Sequence, residues 1–336
     1  MATGQEFEDI YFTCRDGLRL YGRHYRSRVP SHARPIVCLA GLTRNSRDFH
    51  DIALALSRDA AVPRDIFTLD TRGRGLSDHD SDWKNYAVPI EMQDVIDFLT
   101  MLGLRNAGII GTSRGGLITM VLAAVQPSLI GAVVLNDIGP VIEADGLARI
   151  AGYVGRVPLA KNWSDAARIV RDLFHRDFPK MTDQDVEAVA RQLFNERHGK
   201  PARGYDPKLS KCLSVLDGPV PQLWPQFEAM KRVPVLVLRG ANSDLLSEKT
   251  VEEMTQRHPR LKSLTVPDEG HAPLLRDAPT IAAVASFFAE TDEPRDGARD
   301  EGRGIGAPAS SVPMRLMLRD DMGGSGMVAV GRGSLL

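Results

Sequence analysis

Short apolar runs recur along this chain, separated by stretches of helical pattern. The runs are "PIVCLA" (35–40), "DIFTLD" (65–70), "AGIIGT" (107–112), "AVVLND" (132–137), "VPVLVLRG" (233–240) and "LKSLTVP" (261–267). Several are almost continuously apolar, as in strands buried on both faces of a parallel sheet. Amphipathic patterns occupy 48–59, 89–102, 115–126, 246–257 and 278–289. Strands alternating with helices predict an open α/β sheet with helices on both faces. Ahead of them, "EDIYFTC" and "LRLYGRH" flank Arg15-Asp16-Gly17, and the Asp-Gly pair predicts a hairpin.

The alternation breaks between residues 141 and 225. "EADGLARIAGYVG", "NWSDAARIVRDLFHRDF" and "TDQDVEAVARQLFNE" have helical spacing, with no convincing strand among them. The expected organisation is a core of 1–140 and 226–290, interrupted by a helical insertion at 141–225. A glycine-rich tail, 291–336, lacks aromatic residues and is expected to be disordered, with at most a short helix at "VPMRLMLRDDM".

Composition narrows the function classes. With 336 residues, 43% of them hydrophobic, the chain can bury a large core. A formal net charge of −1 gives no electrostatic basis for binding nucleic acid or an anionic membrane. Cys14, Cys38 and Cys212 are widely spaced and odd in number, which suits reduced thiols rather than a disulfide framework or a zinc site. The N-terminal "MATGQEFEDI" lacks the basic and apolar regions of a signal peptide, and no apolar stretch reaches the length of a membrane span. The expectation is a cytoplasmic protein with no membrane partner, monomeric or homodimeric.

One serine stands out. Gly111-Thr112-Ser113-Arg114-Gly115 has the G-x-S-x-G form, follows a predicted strand and opens a predicted helix. In that setting the glycines permit a tight strand-to-helix turn that exposes the hydroxyl at the end of the sheet. The alternative is a serine in a glycine-rich turn with no chemistry. A serine nucleophile needs a base. Of the eight histidines, His271 in "PDEGHAPLL" lies after the last predicted strand, where a loop can face Ser113. The imidazole in turn needs an acid. Two candidates keep the order Ser, acid, His: Asp137 in "VVLNDIGP" and Asp244 in "RGANSDLLS". Oxyanion donors are expected from the N–H of Arg114 and from Leu42 in "CLAGLTRNSRDF", where Gly41 would let the backbone turn inward.

Together these residues resemble the α/β-hydrolase superfamily over roughly residues 8–290. The resemblance rests on "LAGLTRNSRDF", "DTRGRGLSD", "GTSRGG" and "GHAPLL". It implies an eight-stranded, mostly parallel sheet with a helical cap, to which 141–225 corresponds. Asp70, Arg72, Gly73, Gly75 and Ser77 match the family's D-x-R-G-x-G-x-S loop, taken as structural. Many members carry His-Gly in the oxyanion loop, where this chain has Ala40-Gly41. Many also place the acid three residues beyond the glycine ending the seventh strand, which is Ser243 here. A second group, resembling haloalkane dehalogenases and some small esterases, places it 24 residues after the nucleophile, which is Asp137. That spacing favours Asp137, with Asp244 as the alternative.

A serine at the elbow argues against dehalogenase or epoxide hydrolase chemistry, for which the family uses aspartate. It suits hydrolysis of a small or medium ester, thioester or lactone through an acyl-enzyme, with no metal or organic cofactor. The resemblance leaves open carbon–carbon bond hydrolysis, cofactorless peroxidase or dioxygenase activity, and a non-catalytic small-molecule receptor. Pocket-facing candidates are Ile142, Ile150, Tyr153, Val154, Leu173, Phe174 and Phe194, with Trp224, Pro225 and Phe227 at the return to the core. Arg44 and Arg114 are candidates for a substrate carboxylate, against the plainer reading that they pair with nearby acids.

Overall fold

Strand β1 (Glu8–Thr13) turns back antiparallel onto β2 (Arg19–Tyr25), with Gly17 at φ +88° in the connecting turn. In the computed structural model, which describes residues 6–214 and 221–292, this hairpin opens an eight-stranded sheet. The other six strands are β3 (Ile36–Leu39), β4 (Ile66–Asp70), β5 (Ala107–Thr112), β6 (Ile130–Asn136), β9 (Val235–Gly240) and β10 (Leu261–Val266). Their spatial order is β1-β2-β4-β3-β5-β6-β9-β10. Pairing is antiparallel at β1/β2 and β2/β4 and parallel elsewhere.

The continuous apolar runs follow from double-sided burial. Val37, Leu39, Ile109, Val133, Leu135, Val235 and Val237 face one core, with Val95, Phe98 and Leu99 of α2 (Val88–Met101) and Ile118 and Leu122 of α3 (Arg114–Val125). Their neighbours Ile36, Cys38, Ile110, Ala132, Val134, Leu236 and Leu238 face the other. There they meet Ile52 and Leu56 of α1 (His50–Ser57) and Val284, Phe287 and Phe288 of α10 (Ala278–Asp292). A period of two with both sets apolar removes the polar alternation of a one-sided sheet.

The segment between β6 and β9 carries α4 (Ala144–Tyr153), α5 (Trp163–Phe174), α6 (Asp183–Leu193), α7 (Lys211–Ser214) and α8 (Trp224–Glu228). Helix α9 (Glu248–Arg257) then connects β9 to β10. Asn162 caps α5 by accepting from the Asp165 N–H, and Thr182 and Asp185 form a reciprocal capping box on α6. Ala166, Ile169 and Val170 pack against Val186, Val189 and Ala190 in a separate small core.

This segment is not purely helical, contrary to the sequence expectation. A two-stranded antiparallel hairpin, β7 (Phe194–Arg197) and β8 (Lys200–Arg203), follows α6 directly. Its turn residues His198 and Gly199 both have positive φ, +51° and +74°, as a tight hairpin turn requires. The strands are short and charged, so they carry no apolar signal of their own. The tail beyond 292, including the short helix expected there, lies outside the described residues.

Candidate active site

The site is assembled at the C-terminal ends of β5, β6, β9 and β10, where parallel strands deliver their loops to one edge. At the end of β5, Ser113 adopts φ +51° and ψ −114°, a conformation that costs roughly 1–3 kcal/mol and survives only where the surroundings impose it. They do so here by close packing. A Cβ on Gly115 would lie 2.0 Å from the Leu39 carbonyl oxygen, and one on Gly116 would lie 2.2 Å from Ile138 Cγ2. Helix α3 can therefore start hard against the sheet only with glycine at both positions. The Ser113 N–H donates to the Asn136 carbonyl (3.0 Å), while its own carbonyl accepts from Gly116 (2.9 Å) and Leu117 (3.2 Å). In the planar trans peptide, the Arg114 N–H points opposite to that carbonyl, out of the first turn of the helix.

His271 Nε2 lies 2.8 Å from Ser113 Oγ, and His271 Nδ1 lies 2.8 Å from Asp137 Oδ2. A carboxylate only accepts, so Nδ1 carries the proton and Nε2 is left to accept from the serine hydroxyl. Asp137 is fully buried just past β6, with φ +54°, and its N–H donates to the Leu238 carbonyl (2.8 Å). Its Oδ1 accepts from the Gly240 N–H (2.8 Å), and its Oδ2 accepts from Ser243 Oγ (2.5 Å) as well as from His271. Ser243 Oγ itself accepts from the N–H groups of Leu245 and Leu246, each at 3.2 Å. Its single hydrogen is thus committed to Asp137.

Of the two candidate acids, the structure brings Asp137 to His271 and sends Asp244 elsewhere. Asp244 forms a bidentate pair with Arg149 of α4, at 2.6 and 2.7 Å. The Arg149 hydrogen bonds, the first of several contributions, hold the Asp244 carboxyl below its usual range.

Leu42 and Gly41 line the same cavity as Ser113 and His271. Gly41 is not in the left-handed region, and a Cβ there would meet Ser113 Cβ only at an ordinary 3.6 Å. The expected steric need for glycine is therefore absent at this position. The Gly41 carbonyl accepts from the Arg44 N–H (3.1 Å), which turns the Leu42 N–H the other way.

The cavity is about 110 Å³ and mostly apolar, walled by Ile150, Tyr153, Leu173, Phe174 and Phe194 as the sequence suggested, and by Leu193, Tyr205 and the 272–275 loop, which it did not. Ile142 and Val154 instead pack into the core beside the sheet. Trp224 is also misplaced by the sequence reading: it does not line the cavity. It packs edge-on to the buried Phe227, 5.8 Å between centroids, under the Arg257 guanidinium at 4.0 Å. Arg44 does line the cavity, but it is paired bidentately with Asp48 at 2.7 and 2.6 Å. The Arg114 side chain turns away to Glu91 Oε2 (2.6 Å) and the Tyr86 carbonyl (2.7 Å). Both guanidinium charges are thus already met by a carboxylate, while Arg44 Nη1 keeps no hydrogen-bond partner among the described residues.

Three polar residues escaped the sequence reading. Ser243 had appeared only as a departure from the usual acid position, and neither Arg74 nor Glu91 carried a motif signal. Arg72, by contrast, was expected to be structural, and it is buried in ion pairs with Asp94 (2.6 Å) and Asp80 (2.7 Å). Asp70 of the same loop accepts from the Ser46 N–H (2.6 Å) and so ties that loop to the stretch after β3.

Comparison with known proteins places this chain among relatives. A family model described as alpha/beta hydrolase fold matches residues 34–278. The chain is 34% identical to a 3-hydroxybutyrate-oligomer hydrolase of Cupriavidus necator, over 77% of this chain and 89% of that protein. It is 29% identical to the esterase YbfF of Escherichia coli, over 70% and 85% respectively. An α/β hydrolase crystal structure from Novosphingobium aromaticivorans superposes with a TM-score of 0.78 at 38% identity, covering 84% of this chain and 98% of that one. Among the described residues, no helix is long and apolar enough to cross a membrane.

Proposed function

Because the chain belongs to the α/β-hydrolase fold family and is a hydrolase, we propose that it cleaves small or medium carboxylic esters through an acyl-enzyme formed on Ser113. One observation carries this reading: His271 bridges Ser113 Oγ and Asp137 Oδ2 at 2.8 Å on each side, at the wall of an apolar cavity.

The reaction would run as follows. Ser113 Oγ attacks the ester carbonyl carbon while His271 Nε2 takes its proton. The carbonyl π-bond opens, and the negative oxygen is held by the N–H groups of Leu42 and Arg114. The tetrahedral intermediate collapses, the bond to the leaving alcohol breaks, and His271 returns the proton to that alcohol. Water then attacks the acyl-serine with His271 again as base, releasing the acid and restoring the hydroxyl. Asp137 holds the imidazole tautomer throughout.

The substrate class follows from the walls of the cavity and from similarity. The segment between β6 and β9 serves in this reading as the cap. Its Ile150, Tyr153, Leu173 and Phe174 make an apolar surface suited to a short acyl chain. Arg44, its charge met by Asp48, offers donors rather than net charge, which favours a neutral oxygen on the substrate over a carboxylate. Likeness to a hydrolase of 3-hydroxybutyrate oligomers makes esters of small hydroxy acids the first natural class to try. The expected partners are this small molecule alone, with no metal or organic cofactor.

The test is hydrolysis of p-nitrophenyl acetate, butyrate and octanoate and of a 3-hydroxybutyrate dimer by the wild type and by Ser113→Ala. Turnover by the wild type that falls to background in the variant is the expected result. A wild type no faster than the variant on every ester would overturn ester hydrolysis as the activity.

A further inference from the structure

Behind the proposed oxyanion site lies a carboxylate that the mechanism above does not use. Glu91, in the first turn of α2, is fully buried between two guanidinium groups. Its Oε1 accepts from Arg74 Nη1 at 2.5 Å and its Oε2 accepts from Arg114 Nε at 2.6 Å. Burial alone would push the Glu91 carboxyl up, but the charges and hydrogen bonds of Arg114 and Arg74 together outweigh it and hold it below the usual range.

Each arginine reaches from Glu91 to one half of the oxyanion site. Arg114 supplies one backbone donor itself, and its side chain, clamped between Glu91 and the Tyr86 carbonyl, fixes the first residue of α3. Arg74 Nε donates to the carbonyl of Leu42 (2.8 Å), the residue that supplies the other donor. The Arg74 guanidinium is also held by the Arg72 carbonyl (2.7 Å). One buried carboxylate therefore joins, through the two arginines, the backbone segments that follow β3 and β5.

We infer that Glu91 is a positioning residue for the oxyanion site: through Arg74 and Arg114 it sets the separation and direction of the Leu42 and Arg114 N–H groups. This inference rests on the ester-hydrolase reading above. Oxyanion donors act only when placed for the transition state, so a small displacement costs rate rather than ground-state binding. The net charge of the trio is positive, one carboxylate against two guanidiniums, which also favours an oxyanion nearby.

The experiment compares wild type, Glu91→Gln and Arg114→Met on p-nitrophenyl butyrate, with inhibition by an alkyl boronic acid and labelling of Ser113 by a fluorophosphonate. Losing one oxyanion donor outright costs about 100- to 1,000-fold in kcat, and misplacing the pair should cost roughly tenfold or more. The expected pattern is a fall in kcat with KM within about twofold, and a parallel loss of boronic acid affinity. Arg114→Met keeps the backbone donor and removes only its clamp, so it carries the test if Glu91→Gln does not fold. Unchanged kcat in a folded variant, or equal losses in kcat and in binding of the unreactive amide analogue of the substrate, would overturn the inference alone. A wild type that neither turns over the ester nor labels at Ser113 would instead overturn the reading beneath it.

Discussion

Ser243 gives its only hydroxyl hydrogen to Asp137 Oδ2 at 2.5 Å, on the same oxygen that meets His271 Nδ1. The position at which the family resemblance puts an acid is thus occupied by a donor to a carboxylate that follows the neighbouring strand. Hydrogen bonds to a charged group are worth about 1.5–3 kcal/mol, so Ser243→Ala should lower kcat/KM roughly 10- to 100-fold. It should also lower the melting temperature, because the Leu245 and Leu246 N–H groups lose their acceptor. Steady-state kinetics and thermal unfolding of one variant check both.

The two candidate acids make opposite predictions. Asp137→Asn should cost on the order of 10⁴ in kcat, since an amide at that position no longer holds the imidazole in the tautomer that accepts from serine. Asp244→Asn should leave kcat within a few-fold and instead loosen the pair with Arg149. Kinetics of the two variants side by side separate these roles.

Glu269, two residues before His271, makes stability depend on pH. Burial, chiefly, raises its carboxyl from 4.5 to about 7, although it accepts from the Leu274 N–H at 2.7 Å. The unfolded chain ionises this group near 4.5, whereas the folded chain keeps it protonated until about pH 7. Its contribution is therefore fully present below pH 4.5 and is lost as pH rises toward 7. The loss amounts to at most about 3 kcal/mol. Glu269→Gln keeps the acceptor without the charge, so it should unfold at higher denaturant than wild type at pH 8 and at nearly the same denaturant at pH 4.5. Urea titrations at the two pH values read this out.

Acyl-chain selectivity should follow the cavity wall. Phe174→Ala removes a ring from the wall, and the ratio of kcat/KM for octanoate over acetate should rise roughly tenfold. Trp224→Ala should leave that ratio unchanged, because the indole packs against Phe227 and Arg257 instead. The p-nitrophenyl ester series measures both.

Much of this was legible because its causes are local or periodic. Runs apolar on both strand faces can be buried only under helices on two sides, and that is how the sheet packs. The glycines around Ser113 report a steric requirement within a few residues, so the elbow can be read without the rest of the fold. The hairpin at Phe194–Arg203 was missed because short charged strands owe their pairing to the turn between them and to their packing, not to an apolar period. Trp224 was misjudged because an aromatic near a predicted cap has the same composition signal whether it faces a cavity or a core.

By itself, then, the sequence determined the alternation of strands and helices in the core, the serine turn, and a histidine loop able to reach it. Only the tertiary structure decided which carboxylate meets that histidine. Asp137 and Asp244 both follow strands whose ends lie side by side, and both keep the same chain order. What separates them is a few ångströms of loop path: the Gly240 N–H and Ser243 hydroxyl converge on Asp137, while Arg149, arriving from a helix 95 residues earlier, takes Asp244. Contacts between segments so far apart leave no trace in local pattern, because hydrogen-bond geometry is set by where the chain is packed and not by which residues precede it.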